Sequence, residues 1–312
     1  MTFEYPEAVI AADMVPGGGT EAESVEVTIR SGAPWRRTVA RFRTNVPAMV
    51  ALVFIGFVVF VAIFAPIIQP QEPSATSSVV SAGPSAAHWL GTDDVGRDML
   101  SRLVQGTRAS MQVAFQVVLL ATLAALPLGL IAGYFGGWPG GIIMRCMDAL
   151  FTFPALTLAL AVAALLGPSL LNASIAVAIV FVPGLVRLLR AQVLAIREES
   201  FIEASRSVGV GSPRMLRKHV FPNVVSPMIV QLALAFGYAI GAEAGLSFLG
   251  FGVQPPTASW GTMLQSGYTV INETPWAILP PGLALLFVIL AFNLVGDGLR
   301  DALGREQFSV QT

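Results

Sequence analysis

Six apolar stretches, each about long enough to cross a bilayer, constrain this chain more than any other feature: Val46 to Ile68, Ser110 to Phe135, Ile142 to Leu166, Leu170 to Leu189, Val224 to Leu249 and Trp276 to Val295. A helix of about 20 apolar residues covers the hydrocarbon core of a bilayer. The pattern predicts an all-α polytopic membrane protein with six transmembrane helices. Composition agrees, because 54% of the 312 residues are hydrophobic, only 12% are charged and the mean hydropathy is +0.72, whereas soluble domains carry about 25% charged residues. A water-soluble globular domain is excluded. The first apolar run begins only near Val46, too late for a secretory signal peptide, whose short apolar core lies near the start. It is therefore expected to be a retained first span.

With 18 basic and 19 acidic residues the net charge is −1, so no basic excess points to nucleic acid. Six crossings put both termini on one side, and that topology sorts fifteen basic residues onto one face and only Arg97, Arg102 and Arg108 onto the other. Basic residues near helix ends resist translocation, which makes the fifteen-residue face, and both termini, cytoplasmic. The expected organisation is a flexible cytoplasmic tail over 1–44, a first helix over 45–68 and an extracytoplasmic loop over 69–107. A five-helix core follows over 108–300, carrying a cytoplasmic loop at 193–223, and then a short tail over 301–312. The outer segments Gln69 to Thr107 and Gly250 to Pro275 are rich in Pro, Ser, Thr and Gly, and are expected to fold against a partner or over a pore mouth.

The loop between the fourth and fifth helices is too long for a simple turn and too patterned for a linker. Ser200-Phe201-Ile202-Glu203 has the form of a capping box that would open a short helix. Phe201, Ile202, Ser205 and Val208 share one face at helical spacing. Gly209 and Gly211 supply the left-handed backbone that stops this helix, and Ser212-Pro213 starts a second one, with Ser212 as its cap. That second helix carries Arg214, Arg217 and Lys218 and is expected to end at Pro222. Such a hairpin could lie on the lipid surface or plug into a soluble partner.

A resemblance decides between these. Glu203-Ala204-Ser205, three residues, Gly209, nine residues, then His219-Val220-Phe221-Pro222 resembles the EAA loop of prokaryotic ABC importer permeases, written EAA, three residues, G, nine residues, I-x-L-P. The spacing fits throughout; Ser205, His219 and Phe221 depart from the pattern in residue type. His88-Trp89-Leu90-Gly91-Thr92-Asp93-Asp94-Val95-Gly96-Arg97-Asp98, Leu246 to Pro256 and Phe292 to Asp301 are similar to the C-type permease subunit of dipeptide and oligopeptide importers. The resemblance covers about residues 40 to 305.

It implies a type I importer in the inner membrane of a prokaryote. This chain would form a heterodimer with a second permease subunit, with lipid around the pair. Two ATP-binding subunits would hold ATP and Mg below the membrane, and an extracytoplasmic substrate-binding protein would deliver the peptide. Ser200, Phe201, Ile202, Glu203, Ala204, Ser205, Val208 and Gly209 would make the ATPase contact. Permeases for nickel chelates or glutathione are closely similar, so the cargo stays open. The residues agree that the motor lies elsewhere: a P-loop needs G-x-x-x-x-G-K-[ST], and the single lysine, Lys218, follows Arg217. No catalytic residue, cofactor site or metal site is expected in this chain.

Other constellations are weighed singly. Glu243 lies inside the fifth helix, where a carboxylate faces a polar cavity or a partner; it is either a structural group bonded to neighbouring helices or a pathway or gate residue. Gln231 and Phe236 on the same helix are the other pathway candidates. Gly237, Gly241 and Gly245 recur every four residues, as do Gly129 and Gly133 in the second helix, and both sets predict close helix approach. Arg145 and Asp148, three residues apart, are expected to pair on one helical face. Asp148 with Asp297 does not fit an intramembrane aspartyl protease, because the Tyr-Asp and Gly-x-Gly-Asp patterns are absent. Asp93, Asp94 and Asp98 do not have calcium-loop spacing and are expected in a solvated loop capping the second helix. His88 and His219 fall on opposite faces, Cys146 is the only cysteine, and no nucleophile has a visible base partner. A stand-alone secondary transporter would need its own coupling-ion site, for which Glu243 is the one central carboxylate.

Overall fold

A computed structural model describes residues 34–304. Residues 1–33 of the expected N-terminal tail and 305–312 of the C-terminal one lie outside the described residues. Every regular element among the described residues is a helix, and the one β pairing is an isolated antiparallel bridge between Thr92 and Asp98. α1 (Pro34–Thr44) occupies the end of the expected tail and leads into α2 (Val46–Ile68) through Asn45, whose side chain accepts from the Ala48 N–H. Along α2 the buried positions are Ala48, Ala51, Val58, Ala62 and Ala65, while Phe57, Phe60, Ile63 and Ile67 face outward. Small residues inward and large apolar ones outward is the arrangement expected of a helix bathed in lipid, where close backbone approach replaces the hydrophobic drive.

α3 (Met99–Tyr134) is 36 residues long, about 54 Å at 1.5 Å per residue, and so extends beyond a ~30 Å hydrocarbon core. It begins some ten residues earlier than the apolar run suggested, because Asp98 caps it by accepting from the Ser101 N–H. α3 packs most extensively on α6 (Leu170–Arg197) along the predicted glycine seam. A Cβ at Gly129 would lie 2.5 Å from Leu189 Cβ, and one at Gly133 2.6 Å from Val193 Cβ.

The third apolar stretch is not one helix. It forms α4 (Gly137–Phe151) and α5 (Ala155–Leu166), bent by 92° at Thr152-Phe153-Pro154. Pro154 has no N–H and disfavours helical backbone at Phe153, so the ladder stops where the apolar run continues. Among the described residues five helices are therefore long and apolar enough to span, or six when the bent pair is taken as one.

After α6 come α7 (Ser200–Ser207) and α8 (Ser212–Met215), a π-helical turn at Leu216–Val220, and α9 (Phe221–Phe248). Pro222 does not end the second loop helix as expected. The π turn, in which the Phe221 N–H reaches the Leu216 carbonyl, widens the helix just before Pro222, so the path runs unbroken into α9. The segment after α9 contains α10 (Trp260–Thr269), with Trp260, Gly261, Thr262, Met263 and Gly267 buried. A 3-10 turn at Pro275–Ile278 leads into α11 (Leu279–Gly304). α11 approaches α9 at Gly237, where a Cβ would lie 3.4 Å from the Ile289 carbonyl oxygen, and Gly241 faces Ile289 Cδ1.

Candidate functional site

The loop between α6 and α9 is a helical hairpin with one side in the core and the other bare. Ile202, Met215 and Val220 are fully buried in the main apolar core. Phe201, Glu203, Ala204, Arg206, Ser207 and Val208 are exposed, Val208 to 80%. Ile202 therefore anchors the hairpin from below and is not part of the free contact face, which corrects the expectation placed on it. Ser205 is half-buried, and its hydroxyl donates to the Phe201 carbonyl at 2.7 Å.

The expected capping box is not formed. Glu199 occupies the cap position and Ser200 is already helical; the N–H groups of Ile202 and Glu203 are taken by the Glu199 carbonyl at 3.0 and 3.3 Å. The short Glu198-Glu199 link from α6 starts the helix one residue early, so Ser200 loses the extended backbone that a cap requires. Ser212 shifts likewise, with Gly211 as the cap of α8. The turn between α7 and α8 follows the sequence expectation at Gly209, whose φ is +82° and whose missing Cβ has nothing within 4 Å. Gly211 keeps a negative φ of −66°. Gly209 alone thus needs the left-handed region, where a β-branched residue is strained.

Sequence reasoning missed the group that ties the hairpin's root to the bundle. Arg197, in the last turn of α6, donates through Nη1 to the Tyr134 and Gly133 carbonyls at 2.9 and 3.3 Å, satisfying free carbonyls at the end of α3. Nothing local in the sequence joins residues more than sixty positions apart.

At the other end of α9, Glu243 is fully buried. It accepts from Ser247 Oγ at 2.6 Å and Ser110 Oγ at 3.1 Å. Ser110 Oγ in turn accepts from the Trp260 N–H at 3.2 Å, and Ser247 Oγ from the Val253 N–H at 3.2 Å. One carboxylate thus joins α3, α9, α10 and the segment after α9. Gln231 is half-buried with no hydrogen-bond partner among the described residues, and Phe236 stacks on Phe292 with ring centroids 5.2 Å apart.

Asp148 pairs with Arg187 of α6 at 2.7 Å and not with Arg145. The Arg187 guanidinium also lies 4.2 Å over the Phe151 ring, so it is held on both sides. A contact between helices thus replaces the expected contact within α4.

The outer loop differs from the solvated coil expected. Asp93 and Asp98 are buried; Asp93 accepts from Arg97 Nε at 2.7 Å and faces Arg102 Nε at 3.2 Å, and Asp98 lies 3.0 Å from His88 Nδ1. The loop does cap the second span as expected, through Asp98, while the rest of the motif folds onto that cap. Burial, and after it the neighbouring Asp93 carboxylate, push the Asp94 carboxyl above its ordinary range. Among the described residues no group of three His, Cys, Asp or Glu side chains could hold a metal ion.

Residues 33–84 match the family described as the N-terminal TM domain of oligopeptide transport permease C, and residues 125–308 the binding-protein-dependent transport system inner membrane component. The chain is 46% identical to the dipeptide transport system permease protein DppC of Alkalihalophilus pseudofirmus, over 87% of its own length and 90% of that protein's. It is 43% identical to the di/tripeptide transport system permease protein DppC of Pseudomonas aeruginosa, over 87% and 92%. It is 40% identical to the glutathione transport system permease protein GsiD of Pectobacterium atrosepticum, over 86% and 90%. The fold is similar to that of a chain of the MetNI methionine ABC transporter in inward-facing conformations, with a TM-score of 0.55 at 17% identity over 65% of this chain and 97% of that one. The hairpin, the apolar spans and these matches agree: the chain belongs to the inner-membrane permeases of binding-protein-dependent ABC transport systems, with an N-terminal span of the oligopeptide permease C type.

Proposed function

We propose that this chain is one of two permease subunits of an ATP-driven importer of short peptides, and that its α7 hairpin is the socket contact for a separate ATPase subunit. The observation that carries the reading is the bare face of α7, with Phe201, Glu203, Ala204 and Val208 exposed over a buried Ile202 anchor. A hairpin built only to rest on its own bundle would bury more of that face. The peptide cargo is supported by the names of the most similar relatives. Glutathione, itself a small peptide, is the second reading because of the glutathione permease among them. In this reading both termini and the hairpin are cytoplasmic, as the fifteen-to-three distribution of basic residues supports. ATP and Mg are held by the partner ATPases, and this chain does no bond chemistry. Closure of the ATPases moves the hairpin, and the helices rooted in it convert that movement into alternating access.

The test is gentle extraction of the tagged chain, mass spectrometry of what accompanies it, and peptide-stimulated ATP hydrolysis on the same sample. A second permease, ATPases and a binding protein are expected. In a Cys146→Ser background, Val208→Cys is expected to cross-link to an ATPase subunit. An isolated chain without ATP hydrolysis would overturn the reading in favour of a stand-alone transporter.

A further inference from the structure

Between α2, α3, α9 and α11 lies an open cleft of about 560 Å³, whose walls include Ile55 and Val59 of α2, Phe115 of α3, Phe236 of α9 and Phe292 of α11. The two polar residues on its wall are Arg108 and Gln112, one turn apart on α3. Both are exposed, and neither makes an ion pair or hydrogen bond with any described residue. The cleft contains no carboxylate to answer the guanidinium.

The position of Arg108 along the membrane follows from its neighbours. The Met99 end of α3 and the Ile68 end of α2 lie together, since the Gln71 N–H donates to Ser101 Oγ at 3.0 Å, and this is the end away from the hairpin. Arg108 shares the cleft wall with Ile63, five residues before the end of α2, which puts it about 7 Å below that helix end. α2 has 23 residues, about 35 Å, and so overhangs a ~30 Å hydrocarbon core by only a little at each end. Arg108 therefore springs from just inside the hydrocarbon boundary, where a long side chain reaches out to the headgroup level. A cation at that depth needs an anionic partner, and the described chain provides none.

We propose that this cleft is a phospholipid site: a lipid phosphate sits on Arg108 and Gln112, and one acyl chain lies along Ile55, Val59, Phe115 and Phe236. A peptide in transit fits less well. It presents an amide at every residue, and eight of the ten lining residues offer those amides no hydrogen bond. An acyl chain asks for none. A helix from another subunit could cover the apolar wall, but would leave Arg108 unanswered unless it brought a carboxylate.

The experiment uses the full transport complex in bilayer nanodiscs doped with phosphatidylglycerol carrying a diazirine near the acyl terminus. After irradiation, label is expected on the peptides containing Ile55 to Ile63 and Phe236. A diacylglycerol with the same diazirine chain, lacking the phosphate, is expected to label at least fivefold less. Arg108→Ala is expected to cut phosphatidylglycerol labelling at least fivefold and Arg108→Lys to keep half or more. Ala62→Phe, which fills the cleft while leaving Arg108 in place, is expected to cut it as well. Labelling that is unchanged in Arg108→Ala, or equal for the two probes, would mean ordinary lipid contact and overturn the site. A photo-reactive residue at position 115 that cross-links to another polypeptide of the complex would overturn it too, because protein would then cover the cleft.

Discussion

Gly209 holds a φ of +82° with open space where its Cβ would point, so the cost of a substitution there is conformational and not steric. Left-handed backbone costs an ordinary residue about 1–2 kcal/mol, enough to reduce the correctly turned hairpin about tenfold. Gly209→Val is expected to lower uptake about tenfold with the chain still inserted, and Gly209→Asn to retain most activity, because asparagine tolerates this region; uptake at matched expression decides. Glu243 presents a different balance. Its carboxylate is the acceptor for two buried hydroxyls, so Glu243→Ala orphans both at about 1–3 kcal/mol each, while Glu243→Gln keeps the shape and one acceptor. The glutamine variant is expected to stay within about twofold of wild-type uptake and the alanine variant to lose thermal stability. Abolished uptake in a stably expressed Glu243→Gln would instead make the carboxylate a gate. Asp94 adds a pH dependence. Its carboxyl is raised by burial first and Asp93 second, which together outweigh the Arg97 guanidinium 3.8 Å from its Oδ1. The folded chain therefore binds that proton more tightly than the unfolded one. This contribution is full below the unfolded pKa and is lost as pH rises through the folded one. Asp94→Asn is expected to raise the melting temperature at pH 7.5, with a gain that shrinks toward pH 4.

The elements show which sequence signals carry structural information and which do not. Apolar runs located the spans, because a single segment satisfies its own backbone in lipid only as a helix, and glycine spacing located the α3–α6 seam, because small residues let helices approach closely. The seam supports a prediction: at Gly133 an added Cβ would lie 2.6 Å from Val193 Cβ and 3.1 Å from the Arg190 carbonyl, atoms on or next to the backbone that cannot swing aside. Gly133→Val is expected to separate the helices and to lower the amount of intact chain in membranes severalfold. Gly141→Ala, where nothing lies within 4 Å, is expected to leave it unchanged; immunoblots of membranes compare the two. The misread elements have physical causes. The apolar run over Ile142 to Leu166 continues across Pro154, so hydropathy hides a break that the proline itself imposes. At Pro222 the reverse happened, since the π turn removes the clash that normally makes proline a stop, and no residue in Leu216–Val220 announces such a turn. The hairpin's residues were legible from motif spacing, but the burial of Ile202 was not, because the Ser200–Ser207 face pattern does not say which side meets the bundle. The pairing of Asp148 with Arg187 and of Arg197 with the end of α3 joins residues distant in sequence, which local spacing cannot reveal.

At the scale of the whole molecule, the hairpin and the far end of the bundle are joined by continuous rigid elements. One leg of the hairpin leaves α6 through only Glu198 and Glu199, and the other runs through the π turn into α9 without a break. Arg197 fastens the root of the first leg to the end of α3, and α3 carries Ser110, which reaches Glu243 on α9 and the Trp260 N–H of α10. A displacement of α7 is therefore delivered to α6, α3 and α9 together, provided the Arg197 contact holds. Hydrogen bonds from a charged group contribute about 1.5–3 kcal/mol, less here for partial exposure, so their loss weakens the joint without unfolding a bundle that the rest of the α3–α6 seam still holds. In the proposed importer, Arg197→Ala is expected to leave chain levels and ATP hydrolysis near wild type while peptide taken up per ATP hydrolysed falls severalfold. Arg197→Lys, with a donor but no planar fork, is expected to recover only part of that ratio. The measurement is uptake and hydrolysis on the same proteoliposomes. An unchanged ratio in Arg197→Ala would show that movement passes through the α9 leg alone, and a parallel fall in both quantities would place Arg197 in assembly with the ATPases and not in transmission.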